Sequence, residues 1–351
     1  MTQKETMSPL ERWQAVLNRQ QPDRVPMDYW GTIEATRNVC RYLECDEEEM
    51  FKLLHIDRPL DVGPRCPEPR EPDTDMFGCK FKMMDYGTGA YRECINAPLA
   101  KYVSVDEIEA DYTWPDVDEF RYDHLPAMVK GKEHMPVRFA ASEPFLVYKQ
   151  LRGDAQAFMD LLLNPDIVKY CLDKLFGMCY ENTRRILETI PGRVTFAYVA
   201  EDLGSQTGLL FALEHIREYL LPHMKRMMDL VHEGGVLVMT HSDGAIREVI
   251  PDLIEIGADI LNPIQWRCAG MNREGLKRDF GDKLIFHGAV DNQQTLPFGT
   301  VEDVRQEVRD NLRILGDGGG YILGPCHNHQ AVTPPENIVA MYEEGYESGW
   351  L

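Results

Sequence analysis

The chain has 351 residues, 44% of them hydrophobic and 27% charged, with 27 Gly, 22 Pro and 9 Cys. That composition is globular and excludes disordered and collagen-like classes. With 37 basic residues against 58 acidic ones the net charge is −21, which repels phosphate backbones and anionic membranes and excludes nucleic acid as a natural partner.

No stretch approaches the ~20 apolar residues of a membrane helix. The opening segment MTQKETMSPLERWQAV has neither the apolar run nor the small-residue cleavage site of a signal peptide. The expected compartment is the cytoplasm. In a reducing compartment the nine scattered cysteines, none in a CxxC pair, read mostly as small hydrophobes, with one or two available as ligands or nucleophiles.

In chain order, Ser8-Pro9-Leu10-Glu11 is a capping box with Pro at the first helical position, and Trp13, Val16 and Leu17 follow at helical spacing. Val25 to Trp30 reads as a short strand closed by Gly31, and a helix is expected over 34–54. Residues 57–134 differ in texture: Pro59, Pro64, Pro67, Pro69 and Pro72 forbid a long helix. The run FGCKFKMMDYGTGAYREC predicts a hairpin turning at Gly87-Thr88-Gly89. This region reads as an irregular insertion covering one end of the scaffold.

From Pro136 onward short apolar runs alternate with helical segments: PVRFAAS then 146–190, VTFAYVAED then 213–232, VLVMTHSDG then 246–256. ADILNPIQ precedes 272–280, KLIFHGAVD precedes 301–315, and YILGPCHNH precedes 335–347. That alternation predicts βα units around a parallel sheet. With the early strand it gives seven strands, so an eighth lies in the insertion or the barrel is irregular. No Gly-rich phosphate loop follows any strand; Gly318-Gly319-Gly320 precedes one. The expected architecture is a distorted (β/α)8 TIM barrel, α/β in class, forming a single domain over 1–351 with the hairpin-bearing insertion in its N-terminal half.

In such barrels working residues stand at the carboxyl ends of the strands. Those ends read Asp28-Tyr29-Trp30, Ser142-Glu143, Glu201-Asp202, His241-Ser242-Asp243, Asn262 to Gln265, His287 with Asp291, and Cys326 to Gln330. His241, Asp243, Glu201 and Cys326 make a plausible Zn²⁺ set of imidazole, carboxylate and thiolate. A plainer reading stays open, with Cys326 a small buried residue and His241 a strand-end donor to a carbonyl. Of His327 and His329, one is read as serving the site and the other the structure.

Several segments carry a resemblance: RWQAVLNRQQPDRVPMDYWG, LRGDAQAFMDLLLNPD, HSDGAIREVIPDLIEIGADILNPIQ, and GDKLIFHGAVDNQQTLPFGT followed by GGYILGPCHNHQ and PPENI. Together they are similar to the uroporphyrinogen decarboxylase superfamily, which implies the distorted barrel already expected. True decarboxylases of that superfamily carry an arginine-rich loop after the first strand; here the stretch is Met27 to Thr32, without arginine. The other branch, the corrinoid-dependent methyltransferases, holds zinc through a His-x-Cys pair and a distant Cys. In that pattern His241 matches the His, Cys326 the distant Cys, and Asp243 stands where the first Cys would be.

The resemblance implies a zinc-dependent O-demethylase type of methyltransferase that charges a corrinoid (cobalamin) carried by a partner protein. Its donor is a small methylated molecule, most concretely a methoxylated aromatic. Trp30 with Tyr29 would hold the ring, and Asn262, Gln265 or His329 its polar substituents. Asp202, His287 and Tyr29 form the expected catalytic set, with Asp202 or His287 protonating the leaving oxygen. Zinc would take His241, Cys326, Asp243 and Glu201, a bound water or substrate competing with Glu201. The family also contains homodimers. Two alternatives remain: a metal-independent decarboxylase relying on Asp28, and a binding protein that has lost the chemistry.

Overall fold

The computed structural model describes residues 5–351 except 70, 86, 88, 89, 141 and 142. Its strands are β1 (Leu60–Val62), β2 (Phe81–Asp85), β3 (Ala90–Cys94), β4 (Val137–Ala140), β5 (Phe196–Ala200), β6 (Leu237–His241), β7 (Ile260–Asn262), β8 (Ile285–Val290) and β9 (Tyr321–Pro325). Seven of them form one parallel sheet in the order β1-β4-β5-β6-β7-β8-β9, and β2 and β3 pair apart from it. β6 to β9 are buried along nearly their whole length, as expected of parallel strands covered on both faces.

The sheet curls. Phe196 of β5, Met239 of β6, Ile260 of β7, Ile285 of β8 and Ile322 of β9 meet in one apolar cluster, which strands in a flat sheet could not do. The helix Pro9–Leu17 inserts Trp13, Val16 and Leu17 into that cluster, and Trp13 stacks on Phe196 with centroids 4.9 Å apart. A second, larger cluster fills the space between the outer sheet face and the helices.

The expected strand at 25–30 is not a regular one. Pro26 has no N–H, and the Met27 N–H turns to the Asp57 carboxylate at 3.1 Å instead of a ladder partner. Residues 26–28 still lie beside β9, through Asp28 N–H to Leu323 O at 2.8 Å and Leu323 N–H to Pro26 O at 2.9 Å. On the other side Asp57 N–H donates to Met27 O at 2.7 Å. The strand expected inside the insertion is β1, parallel to β4; residues 57–134 therefore contribute to the main sheet. The β2–β3 hairpin pairs antiparallel from Phe81↔Cys94 to Asp85↔Ala90, while Thr88 and Gly89 of its expected turn lie outside the described residues.

The helices are more broken than the periodicity predicts. The expected 34–54 helix divides into Ile33–Leu43 and Glu47–Leu53, because Glu44 turns left-handed and the Asp46 carboxylate caps a new start at Glu49 N–H. The 146–190 stretch divides into Pro144–Arg152, Asp154–Leu163 and Pro165–Thr189, parted by Gly153 at φ 84° and by Asn164-Pro165. Helix Val301–Leu315 matches the prediction, opened by a capping box of Thr300 and Asp303.

Three buried charges tie the first elements together. Asp57 receives Arg12 at 2.5 Å and Arg24 at 2.7 Å, and Trp13 Nε1–H donates to Asp57 O at 2.8 Å. Nearby, Asp23 is held well below the usual carboxylate range: its partial burial raises the value, but Arg12 and the N–H groups of Thr6 and Met7 outweigh it. Asp57→Ala leaves Arg12 with Asp23 and Arg24 with Glu5 as their remaining carboxylates and is expected to destabilise the fold by about 1–3 kcal/mol, measured by chemical denaturation.

Candidate active site

β6 ends on His241, which is buried, and hydrogen bonds rather than sterics set its ring. His241 Nδ1 lies 2.5 Å from Asn262 Oδ1, and Asn262 Nδ2 lies 2.6 Å from His287 Nδ1. His287 Nε2 lies 3.0 Å from Asp28 Oδ2. Asp28 also accepts from Tyr29 N–H and Trp30 Nε1–H at 2.8 Å each, and Arg138 approaches at 3.5 Å. Burial raises the Asp28 pKa, yet the His287 bond, the Arg138 charge and the Trp30 bond together bring it below the ordinary value.

The other edge of His241 faces acid. Its Nε2 is 3.8 Å from Asp243 Oδ1 and 3.9 Å from Asp202 Oδ1. Ligand atoms of His241, Asp243 and His327 all lie within 4.8 Å of one another. Two ligand atoms on one tetrahedral Zn²⁺ stand about 3.4 Å apart, from bonds of ~2.1 Å, so a small inward movement would let this group close on an ion. Asp243 Oδ1 is buried and has no hydrogen-bond partner among the described residues, a costly condition that a cation would relieve. Burial, opposed by His241 and His327, raises the Asp243 pKa. Burial and the neighbouring Asp202 raise that of Glu143, whose Oε1 is 3.5 Å from the Tyr198 hydroxyl. Three carboxylates facing two imidazoles are a donor set fit for a divalent metal.

The loop carrying Asp243 is held by close backbone contact. A Cβ on Gly244 (φ +88°) would fall 2.5 Å from the carbonyl carbon of Gly204, so only glycine lets the chains after β5 and β6 cross here. Gln265 Oε1 accepts from Gly244 N–H at 2.7 Å.

Beside this group opens a cavity of about 480 Å³ lined by Tyr29, Trp30, Phe51, Arg58, Arg138 and Tyr198 among others. Trp30 lines the cavity and also contacts the histidine: Arg138 lies over its ring at 5.1 Å, and His241 stacks on it at 5.9 Å and 22°. Tyr29 gives its ring edge to Phe51 at 5.3 Å, while its hydroxyl pairs with Thr36 at 2.9 Å and burial pushes its pKa up to about 12.

The structure thus brings His241, Asp243 and Asp202 together, with Trp30 and Tyr29 at the cavity wall, and leaves other expected residues outside. Cys326 Sγ–H donates to Ile264 O at 3.2 Å in full burial, which pushes the thiol well above its ordinary pKa; its sulfur is not in the His241 group. Glu201 accepts from Phe145 N–H at 2.9 Å, capping the start of helix Pro144–Arg152, and burial raises its pKa strongly. His287 has both nitrogens occupied and is fully buried, so it is not placed to protonate a leaving group. Gln265 and Asn262 brace backbone and imidazole rather than lining the cavity. His329, buried against Tyr29 and Tyr342, has its pKa lowered by burial to about 3; its neighbour His327 joins His241 instead. Ser142 lies outside the described residues. Glu143 and His327 gained no role from sequence, although strand-end position singled out both.

The sequence profile of the family described as uroporphyrinogen decarboxylase (URO-D) matches residues 75–347. The chain belongs to the uroporphyrinogen decarboxylase family. Within the family the similarity is uneven. Methylcobamide:CoM methyltransferase MtbA of Methanosarcina mazei is 25% identical over 353 residues, covering 96% of this chain and 97% of that protein. The MtbA of Methanosarcina acetivorans is 24% identical over the same shares. A uroporphyrinogen decarboxylase of Pseudomonas syringae pv. tomato is 26% identical over 191 residues, 52% of this chain and 49% of that protein. The solved structure of a methyltransferase from Methanosarcina mazei shares the fold, with a TM-score of 0.68 at 17% identity over 97% of this chain and 99% of that one. No helix of the described residues is long and apolar enough to cross a membrane.

Glu201→Gln tests the structural account of that carboxyl. A folded-state pKa above the ordinary 4.5 means the folded chain binds more protons, so Glu201 costs stability as pH rises above 4.5 toward the raised value. The expected outcome is that the stability difference between Glu201→Gln and wild type grows in the variant's favour across that window, read from denaturant midpoints at several pH values.

Proposed function

We propose that the chain is a zinc-dependent methyltransferase that moves a methyl group from a small methylated donor to the Co(I) of a corrinoid carried by a partner protein. The observation that carries this reading is the His241–Asp243–His327 group in a chain that aligns end to end with methylcobamide:CoM methyltransferases. His241, Asp243 and His327 would hold the zinc, which when bound supplies a Lewis acid toward a donor oxygen. A set of two imidazoles and a carboxylate is harder than one with thiolates, which suits an ether oxygen better than a thiol.

The donor we infer is a methoxylated aromatic. A cavity of about 480 Å³ walled by Tyr29, Trp30, Phe51 and Tyr198 is the size of a small-molecule site, and Arg58 and Arg138 in the same wall are available to polar substituents. As the methyl–oxygen bond breaks, the methyl goes to the reduced acceptor, whose electron pair forms the new bond, and the leaving oxygen takes a proton. Glu143 is the group to supply it: burial and then the neighbouring Asp202 both favour its protonated form. The same reading takes 26–28 as the eighth stave of a closed barrel, supported by its bonds to Leu323 and Asp57. A metal-independent decarboxylase would need Asp28 at the substrate, whereas its oxygens are engaged by Tyr29, Trp30 and His287.

Protein purified without chelator is expected to carry stoichiometric zinc, lost in His241→Ala and His327→Ala and kept in Cys326→Ser; a wild type that stays metal-free after zinc is supplied would sink the mechanism. With reduced corrinoid protein and a panel of aromatic methyl ethers, Glu143→Gln is expected to lower kcat by about 10²–10⁴ while donor binding persists. Unchanged turnover in that variant would remove Glu143 from the mechanism.

A further inference from the structure

We infer that Asp28, His287 and Asn262 are positioning residues whose hydrogen bonds fix the tautomer of His241, keeping the proton on Nδ1 and leaving Nε2 bare toward Asp243. The inference deepens the zinc reading and rests on it for its use, but the tautomer stands as a property of the metal-free chain.

The direction of each bond follows from the first. Asp28 is a carboxylate that accepts on every side, from Tyr29 N–H, Trp30 Nε1–H and Arg138. Only a donor can meet its Oδ2, so His287 carries hydrogen on Nε2, 3.0 Å away. Asn262 presents its amide NH₂ to His287 Nδ1 at 2.6 Å, and since that group only donates, Nδ1 is the acceptor. That turns Asn262 Oδ1 toward His241 Nδ1, at 2.5 Å, and an amide oxygen accepts only from N–H. The lone pair of His241 is left on Nε2, the nitrogen 3.8 Å from Asp243 and 3.9 Å from Asp202. Nothing along the path is exposed: Asp28, Asn262 and His287 are each 0% accessible, so water does not reset the order. Without the relay an isolated imidazole is free to place its proton on Nε2, where it would meet the carboxylates as a donor and offer no electron pair to a metal.

A glutamine at 287 can preserve the order, giving N–H to Asp28 and an oxygen to Asn262; a leucine cannot. At one fixed pH, zinc affinity by chelator competition is expected to fall about 10–100-fold in His287→Leu and to stay near wild type in His287→Gln, with both variants checked for an unchanged melting transition. Folded His287→Leu that binds zinc as wild type does would overturn the relay. If His287→Leu fails to fold, ¹⁵N shifts of His241 in metal-free wild type and His287→Gln decide: a proton on Nδ1 in both upholds the proposal, and one on Nε2 overturns it. A wild type with the Nδ1 proton that binds no zinc upholds the relay and sinks the metal reading alone.

Discussion

Asp57 is the residue on which the site's placement depends. A carboxylate with no access to water must be matched inside the protein, and Arg12, Arg24 and the Met27 N–H do so together. That one demand brings the first helix, the 24–28 segment and the start of β1 to a common point. Met27 being fixed, Asp28 follows, and from Asp28 the hydrogen bonds run through His287 and Asn262 to His241. A charge cluster near the amino end of the sheet thus decides where a nitrogen points at the carboxyl end.

The sequence displayed the scaffold well because its signal is repetitive. Each apolar run from Val137 to Pro325 is a short buried strand between helical segments, and periodicity needs no knowledge of neighbours. It misled where one residue's local bonding outweighed the period, as at Glu44 and Pro26, or where a strand as short as β1 sat among prolines. At the site, strand-end position singled out His241 and Asp243. It could not choose between His327 and His329, since alternation puts residues two apart on one face and the chain after Pro325 is no longer a regular strand. The backbone chooses: His329 N–H is bound to Trp30 O at 2.8 Å, which turns that ring into the packing around Tyr29 and Tyr342.

Cys326 shows what a motif leaves out. The family pattern names the position, but the environment of the thiol is tertiary: full burial raises its pKa, and its sulfur lies 3.2 Å from the Ile264 carbonyl. Glu201 and Asp202 make the same point with adjacent carboxylates. One faces inward to helix N–H groups and the other to His241, and a pleat of one residue separates the two tasks.

The packing of Trp13 on Phe196 has a kinetic consequence. With Trp13, Val16 and Leu17 filling the amino end of the curled sheet, a molecule that meets His241 arrives from the carboxyl ends of the strands. On the proposed reading two reactants both need that histidine and share a doorway. A small one must then be seated before a large one covers it, and that reading implies a compulsory sequence, with the bulky reactant arriving second and leaving first.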